Sequence, residues 1–155
     1  MNSCCFVGHR TINETDELKA KLHEAVERLI VQENTDTFLF GSKSRFNDLC
    51  LEIVSEMKKK YPHIKRVYVR AEYPVISDSY RAYLLEKYED TYYPESIVGS
   101  GRAVYVKRNY EMIDNSRFCI VYFDGTYVPN GRKSGTETAL NYAKKKKKEL
   151  FVFNG

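Results

Sequence analysis

The sequence predicts an α/β fold: a Rossmann-like, doubly wound domain whose mainly parallel five-stranded sheet carries helices on both faces. Three observations lead there. Short apolar runs alternate along the chain with stretches of helical spacing, the order that produces βαβ crossovers. The runs SCCFV (3–7), TFLF (37–40), FCIVYF (118–123) and LFVF (150–153) are continuous in their apolar character, as strands covered on both faces are. Finally, 155 residues with 43% hydrophobic and 30% charged content and 4 prolines can bury a sizeable core as a single domain, residues 1–155, without disulfide or metal staples.

The elements follow in order. Ser3–Val7 is the first strand, ending at Gly8. Leu18, Leu22, Val26, Leu29 and Ile30 recur at helical spacing over 14–31, with Thr15 or Asn13 as the cap. Thr37–Phe40 is the second strand, closed by Gly41. Phe46, Leu49, Cys50, Ile53 and Met57 form the next helical stripe, stopped before Pro62. Ile64–Arg70 (IKRVYVR) is the third strand. Periodicity weakens from Tyr73 to Gly101, where Asp78–Tyr88 predicts a short helix. Tyr92-Tyr93-Pro94 predicts extended chain or a turn, because proline disfavours helix just before it. Helical spacing resumes over Ala103–Asn115 through Val106, Tyr110 and Ile113. Phe118–Phe123 is the fourth strand, Thr136–Lys148 the last helix and Leu150–Phe153 the fifth strand.

Charge and composition exclude several function classes. No apolar run approaches the roughly 20 residues of a membrane span. Residues 1–10 lack the basic end and long apolar core of a signal peptide, so the chain is read as a mature cytoplasmic protein. The net charge is +4, but five of the 25 basic residues are the run Lys144–Lys148. Without that run, 20 basic residues face 21 acidic ones and the balance falls to −1. Nucleic-acid faces draw affinity from many dispersed phosphate contacts, whereas cations at a helix end complement its exposed carbonyls. Nucleic acid is therefore not the expected partner. The cysteines, Cys4, Cys5, Cys50 and Cys119, form no C-x-x-C, and His9, His23 and His63 are not spaced as zinc ligands. They read as small buried hydrophobes of a reducing compartment, and no metal site is expected.

Doubly wound folds bind ligands outside the carboxyl ends of their strands, which directs attention to four loops. After the first strand come Gly8, His9 and Arg10: a glycine permitting close approach, an imidazole donor and a planar cationic fork. After the second come Gly41 and Ser42, in a small basic loop feeding a helix. The N–H groups of such a helix start suit an anion, although the P-loop pattern is absent. Asn47 and Asp48 in its first turn are equally ordinary caps. After the fourth strand come Asp124 and Gly125, and Ser134-Gly135-Thr136 then opens the last helix, another capped N-terminus aimed over the sheet.

Four segments, SCCFVGHR, FGSKSRFNDLCLEIV, RNYEMIDNSRFCIVYFDG and SGTETALNYA, together resemble the SLOG superfamily, and within it the YpsA-like branch, which opens with strand-Gly-His-Arg. The resemblance spans nearly the whole chain and is weakest over Tyr73–Arg102. It implies a Rossmann-like fold and a nucleotide or nucleotide-derived ligand. Relatives include the Lonely Guy phosphoribohydrolases, DNA-processing protein A and sensor domains that bind cyclic ADP-ribose-type signals. The phosphoribohydrolase pattern is R-K-x-x-M, a strand, then P-G-G-x-G-T-x-x-E, with the arginine and last glutamate as the catalytic pair. Here Arg108-Asn109-Tyr110-Glu111-Met112 matches the arginine but not the lysine, Gly135-Thr136 matches the G-T, and Ala139 stands where the glutamate belongs. A longer Asp124–Lys133 loop replaces P-G-G. Glycosidic chemistry needs a carboxylate near an oxocarbenium-like centre. Asp124 and Glu137 are the substitutes, although Glu137 lies about 200° round the helix from Ala139. The pattern also departs at Asn47, where an acid is expected and Asp48 follows, and at Ser116-Arg117 in place of Ser-Asp. Both departures remove negative charge near the expected site.

The resulting expectation is a binding module. Gly8, Arg10, Gly41, Ser42, Ser134, Gly135 and Thr136 would cradle a phosphate or pyrophosphate. Arg108 and Asn109 would reach ribose or phosphate, with Asp124 near a ribose hydroxyl or base. The module would serve as sensor, carrier or sequestering protein, with no cofactor. A hydrolase of an N-glycosidic or phosphate bond is the alternative, and single-stranded DNA binding through Lys144–Lys148 and the 13 tyrosines the second. The 14% aromatic content and the resemblance together suggest a homo-oligomer.

Overall fold

Each apolar run forms a strand because its neighbours in the chain supply the covering helices. The computed structural model describes residues 2–126 and 134–154. In chain order the elements are β1 (Ser3–Gly8), α1 (Asp16–Gln32), β2 (Thr37–Phe40), α2 (Arg45–Lys60), β3 (Lys65–Val69), α3 (Asp78–Leu84), β4 (Asp90–Tyr92), α4 (Val104–Asp114), β5 (Phe118–Tyr122), α5 (Gly135–Lys145) and β6 (Glu149–Phe153). Two 3₁₀ turns, Glu95–Ile97 and Gly101–Ala103, lie between β4 and α4.

The sheet order is β4-β3-β2-β1-β5-β6, and every pairing is parallel. The chain winds outward from β1 to β4, then crosses back through α4 to place β5 on the other side of β1. That reversal, with Cys4↔Phe118 through Gly8↔Tyr122 in register, is the switch point of a doubly wound fold.

Side-chain alternation divides the core in two. Cys4, Phe6, Phe38, Phe40, Phe118 and Ile120 face α1 and α2, joined by Leu84 and Tyr88 from the α3 region. Cys5, Val7, Leu39, Val67, Cys119 and Val121 face Met112 and Ile113 of α4 and Ala139, Leu140 and Ala143 of α5. All four cysteines are buried free thiols, and Cys5 Sγ lies 3.4 Å from Cys119 Sγ across the β1/β5 pair. No helix among the described residues is long and apolar enough to cross a membrane.

The expected five strands are corrected to six. The added strand, β4, is three residues of mixed polarity at the sheet edge. It is recruited by register with β3 (Val67↔Asp90, Tyr68↔Thr91, Val69↔Tyr92) and by Thr91, whose hydroxyl donates to Tyr68 O at 2.8 Å and accepts from Arg70 Nη1 at 3.0 Å. The helix expected over Asp78–Tyr88 stops at Leu84, because Tyr88 turns back into the core to stack on Tyr68. Neither Asn47 nor Asp48 caps α2. Ser44 does, accepting from Asn47 N at 3.0 Å. The helix expected to run through Lys148 ends at Lys145, and Lys147 takes a left-handed conformation (φ 57°) that turns the chain into β6. The lysine run is thus the exit of a helix.

Candidate functional site

The carboxyl ends of β1, β2 and β3 and the starts of α2, α4 and α5 enclose a cleft of about 710 Å³, within the range of small-molecule sites. Its floor depends on two bare glycines. A Cβ on Gly8 would overlap the ring and Cβ of Phe46, so the first turn of α2 lies directly against the end of β1. A Cβ on Gly41 would come 2.7 Å from Arg108 Cδ and 2.9 Å from Met112 Sδ, so the loop after β2 lies directly against α4.

Arg108 is the cationic centre. It is 5% exposed, yet it lines the cleft. One Nη donates to the Gly41 carbonyl at 2.5 Å, and Nε donates to Asn109 Oδ1 at 3.0 Å. Among the described residues no carboxylate lies within ion-pair distance of it. Burial lowers its pKa from the ordinary value, because a desolvated charge without a counter-ion is costly. Asn47, 3% exposed, accepts from Gly41 N at 3.3 Å, so the Gly41 peptide is held on both sides.

Two helix N-termini open on the same space. Ser44 caps α2 and shares a 2.9 Å hydrogen bond with Ser42. Ser134 caps α5, accepting from Glu137 N at 3.0 Å. The N–H groups of Gly135 and Thr136, both lining the cleft, meet no acceptor among the described residues. Helix starts of this kind favour an anion through both hydrogen bonds and dipole.

Of the residues singled out from sequence, Gly8, His9, Arg10, Gly41, Ser42, Arg108, Asn109, Ser134, Gly135 and Thr136 come together as cleft lining. Asn47 lies behind them and lines an adjoining cavity. Asp124 and Gly125 are not among the lining residues, although Asp124 N donates to the cleft-lining His9. The Asp124 carboxylate accepts from Thr126 N at 2.9 Å and Thr126 Oγ1 at 2.7 Å, and these bonds hold its pKa below the usual value. Residues 127–133 of the loop that replaces P-G-G lie outside the described residues. Glu137 does not line the cleft either. His9 is 2% exposed and its Nε2 accepts from Asp124 N at 2.9 Å. That bond places the proton of the neutral ring on Nδ1, and burial lowers its pKa.

Sequence reasoning missed Tyr68, Glu72 and Tyr105, which also line the cleft together with Lys43 of the basic loop after β2. Glu72 is the cleft's carboxylate among the described residues. Tyr105 Oη donates to it at 2.6 Å and Lys43 Nζ lies 3.7 Å away. The tyrosine bond, then the lysine charge, keep it ionised below the usual range. Its position just after β3 was the available signal. Among the described residues no cluster of His, Cys, Asp and Glu could hold a metal ion.

No family model matches the sequence. The chain is similar to the uncharacterised SPbeta prophage-derived protein YoqJ of Bacillus subtilis (strain 168): 30% identity over 147 residues, covering 83% of this chain and 81% of that protein. It belongs to the family of that prophage protein.

Proposed function

We propose that the cleft binds a phosphate-bearing, nucleotide-derived small molecule of the ADP-ribose or cyclic-nucleotide type, and that the protein senses, carries or sequesters it. The supporting observation is Arg108: a buried guanidinium on the cleft wall, held by a carbonyl and an amide, without a carboxylate partner among the described residues. An entering phosphate would supply the missing counter-charge. The N–H groups of Gly135 and Thr136 and the exposed Arg10 add donors of the same sign around it. The SLOG resemblance of the strand-end segments points to the same ligand class. The same reading takes the chain to be a cytoplasmic homo-oligomer; light scattering tests the oligomeric state.

The test is thermal shift with ATP, ADP-ribose, cyclic ADP-ribose and NAD, with adenosine as the uncharged comparison. At 100-fold excess over Kd a ligand stabilises by about 2.7 kcal/mol, roughly 5–10 °C for a chain of this size. At least one phosphate-bearing compound should reach that shift and lose it in Arg108→Met. A flat panel would overturn the reading.

One observation favours hydrolysis as a second reading: Glu72, ionised and in the cleft, takes the place that Asp124 and Glu137 do not fill. A carboxylate there suits activation of water or stabilisation of an oxocarbenium-like centre. Release of base or ribose 5-phosphate from a nucleotide, abolished in Glu72→Gln, would establish it. Absence of turnover over a long incubation leaves the binding module.

A further inference from the structure

The cleft does not end at Arg108. A side cavity of about 330 Å³ opens beside it, and Ser42, Lys43 and Tyr68 line both spaces. The chemistry changes across that seam. On the cleft side are arginines and helix-start N–H groups, with the one carboxylate among the described residues, Glu72, paired to Tyr105 and Lys43. On the far side are Tyr68, Tyr80 and Tyr88, with Asp48 at the rim. Tyr68 and Tyr88 are stacked on each other, with ring centroids 5.3 Å apart at 23°. None of the three phenol oxygens has a hydrogen-bond partner among the described residues. Asp48 is exposed in the first turn of α2 and forms no ion pair among the described residues. Beyond the shared Lys43, this space offers aromatic surfaces and a carboxylate but, among the described residues, no arginine and no helix-start N–H groups. It suits a flat ring whose edge presents N–H groups.

We propose that the side cavity holds the base of the ligand, with one face on the tyrosines and an N–H of its edge donated to Asp48, while the phosphates remain at Arg108 and the helix starts. The inference rests on the phosphate-binding reading above and adds to it the chemical class recognised beyond the phosphates. It also moves the base away from Asp124, whose carboxylate is occupied by Thr126, to the opposite end of the cleft, beyond β2 and β3. Two adjoining cavities, one richer in arginines and N–H donors and the other in tyrosine rings, match a molecule with an anionic part and an aromatic part. A simple anion would leave the second space unused.

The experiment is isothermal titration calorimetry of the full chain with two probes, ADP and inorganic pyrophosphate. Wild type is expected to bind ADP more tightly than pyrophosphate. Tyr80→Ala removes the half-exposed ring of the cavity, and it should weaken ADP roughly 5- to 150-fold, the range for one base–aromatic stack. Pyrophosphate affinity should not change, and Tyr80→Phe should retain ADP binding. Asp48→Ala, an exposed change that leaves the core intact, should weaken ADP several-fold and spare pyrophosphate. Two results overturn the base site alone: ADP no tighter than pyrophosphate in wild type, or ADP affinity unchanged in both Tyr80→Ala and Asp48→Ala. If wild type binds neither probe, the phosphate reading fails and the base site falls with it.

Discussion

The guanidinium of Arg108 donates to the carbonyl oxygen of Gly41 at 2.5 Å, joining α4 to the loop after β2 across 67 positions of sequence. The bond is neutral on its accepting side, so it anchors the arginine without discharging it. The positive charge stays on the cleft wall, where burial makes it expensive and an anion makes it useful.

Arg108→Met follows directly. The substitution removes a buried cation whose desolvation costs several kcal/mol and leaves the Gly41 carbonyl without its donor, a loss of about 1–3 kcal/mol. The expected outcome in thermal melts is a Tm unchanged or raised, together with loss of phosphate-ligand binding.

The two glycines should behave differently. In Gly8→Ala the new methyl meets Phe46 down to its Cβ, and Phe46 is fully buried. Overpacking of this kind costs about 1–3 kcal/mol, so denaturant midpoints should fall. In Gly41→Ala the methyl meets the mid-chain of Arg108 and the sulfur of the fully buried Met112, so the flexible arginine is the group that must move. Stability should fall less than in Gly8→Ala, while ligand affinity falls because Arg108 is displaced.

Ser134 separates capping from binding. Ser134→Ala removes the acceptor for Glu137 N and should cost about 1 kcal/mol of stability. Ser134→Asp keeps a cap and places negative charge on the helix start, so stability is held or increased. The same carboxylate faces the cleft and should weaken pyrophosphate binding about 10-fold or more, by like-charge repulsion in a partly desolvated site. Melting curves and calorimetry on the two variants check both halves.

His9 should give the fold a pH dependence of defined sign. Burial lowers its pKa in the folded state from the ordinary 6.5. A folded pKa below the unfolded one means the unfolded chain takes up the proton first. The contribution is therefore complete above about pH 6.5 and is lost as pH falls below it. Tm should decline between pH 6.5 and 5. His9→Gln, which retains an acceptor for Asp124 N, should flatten that decline. The depressed carboxylates Glu14, Glu72 and Asp124 act below this window.

The sheet was legible where strands are continuous apolar runs, because burial on both faces leaves the clearest trace. β4 left none, since Asp90-Thr91-Tyr92 is an edge strand held by register and by Thr91. The cleft was legible as polar residues at strand ends, and Gly8, Gly41, Arg108 and Gly135 meet there. Asp124 occupies the same kind of position but is captured by its own turn, a local competition that spacing does not reveal. Glu72 and Tyr105 lie 33 positions apart, and only the fold brings them to one wall. Ser44 took the capping role from Asn47 because its hydroxyl stands one residue before the helix, leaving Asn47 to hold Gly41.

The most direct measurement is a ³¹P NMR titration of pyrophosphate with wild type and with Arg108→Met. The expected result is a saturable shift at one site per chain for wild type, absent for the variant at unchanged or higher Tm. A phosphorus spectrum unaffected by wild type, or shifted equally by both proteins, would contradict the assignment of the cleft as an anion site centred on Arg108.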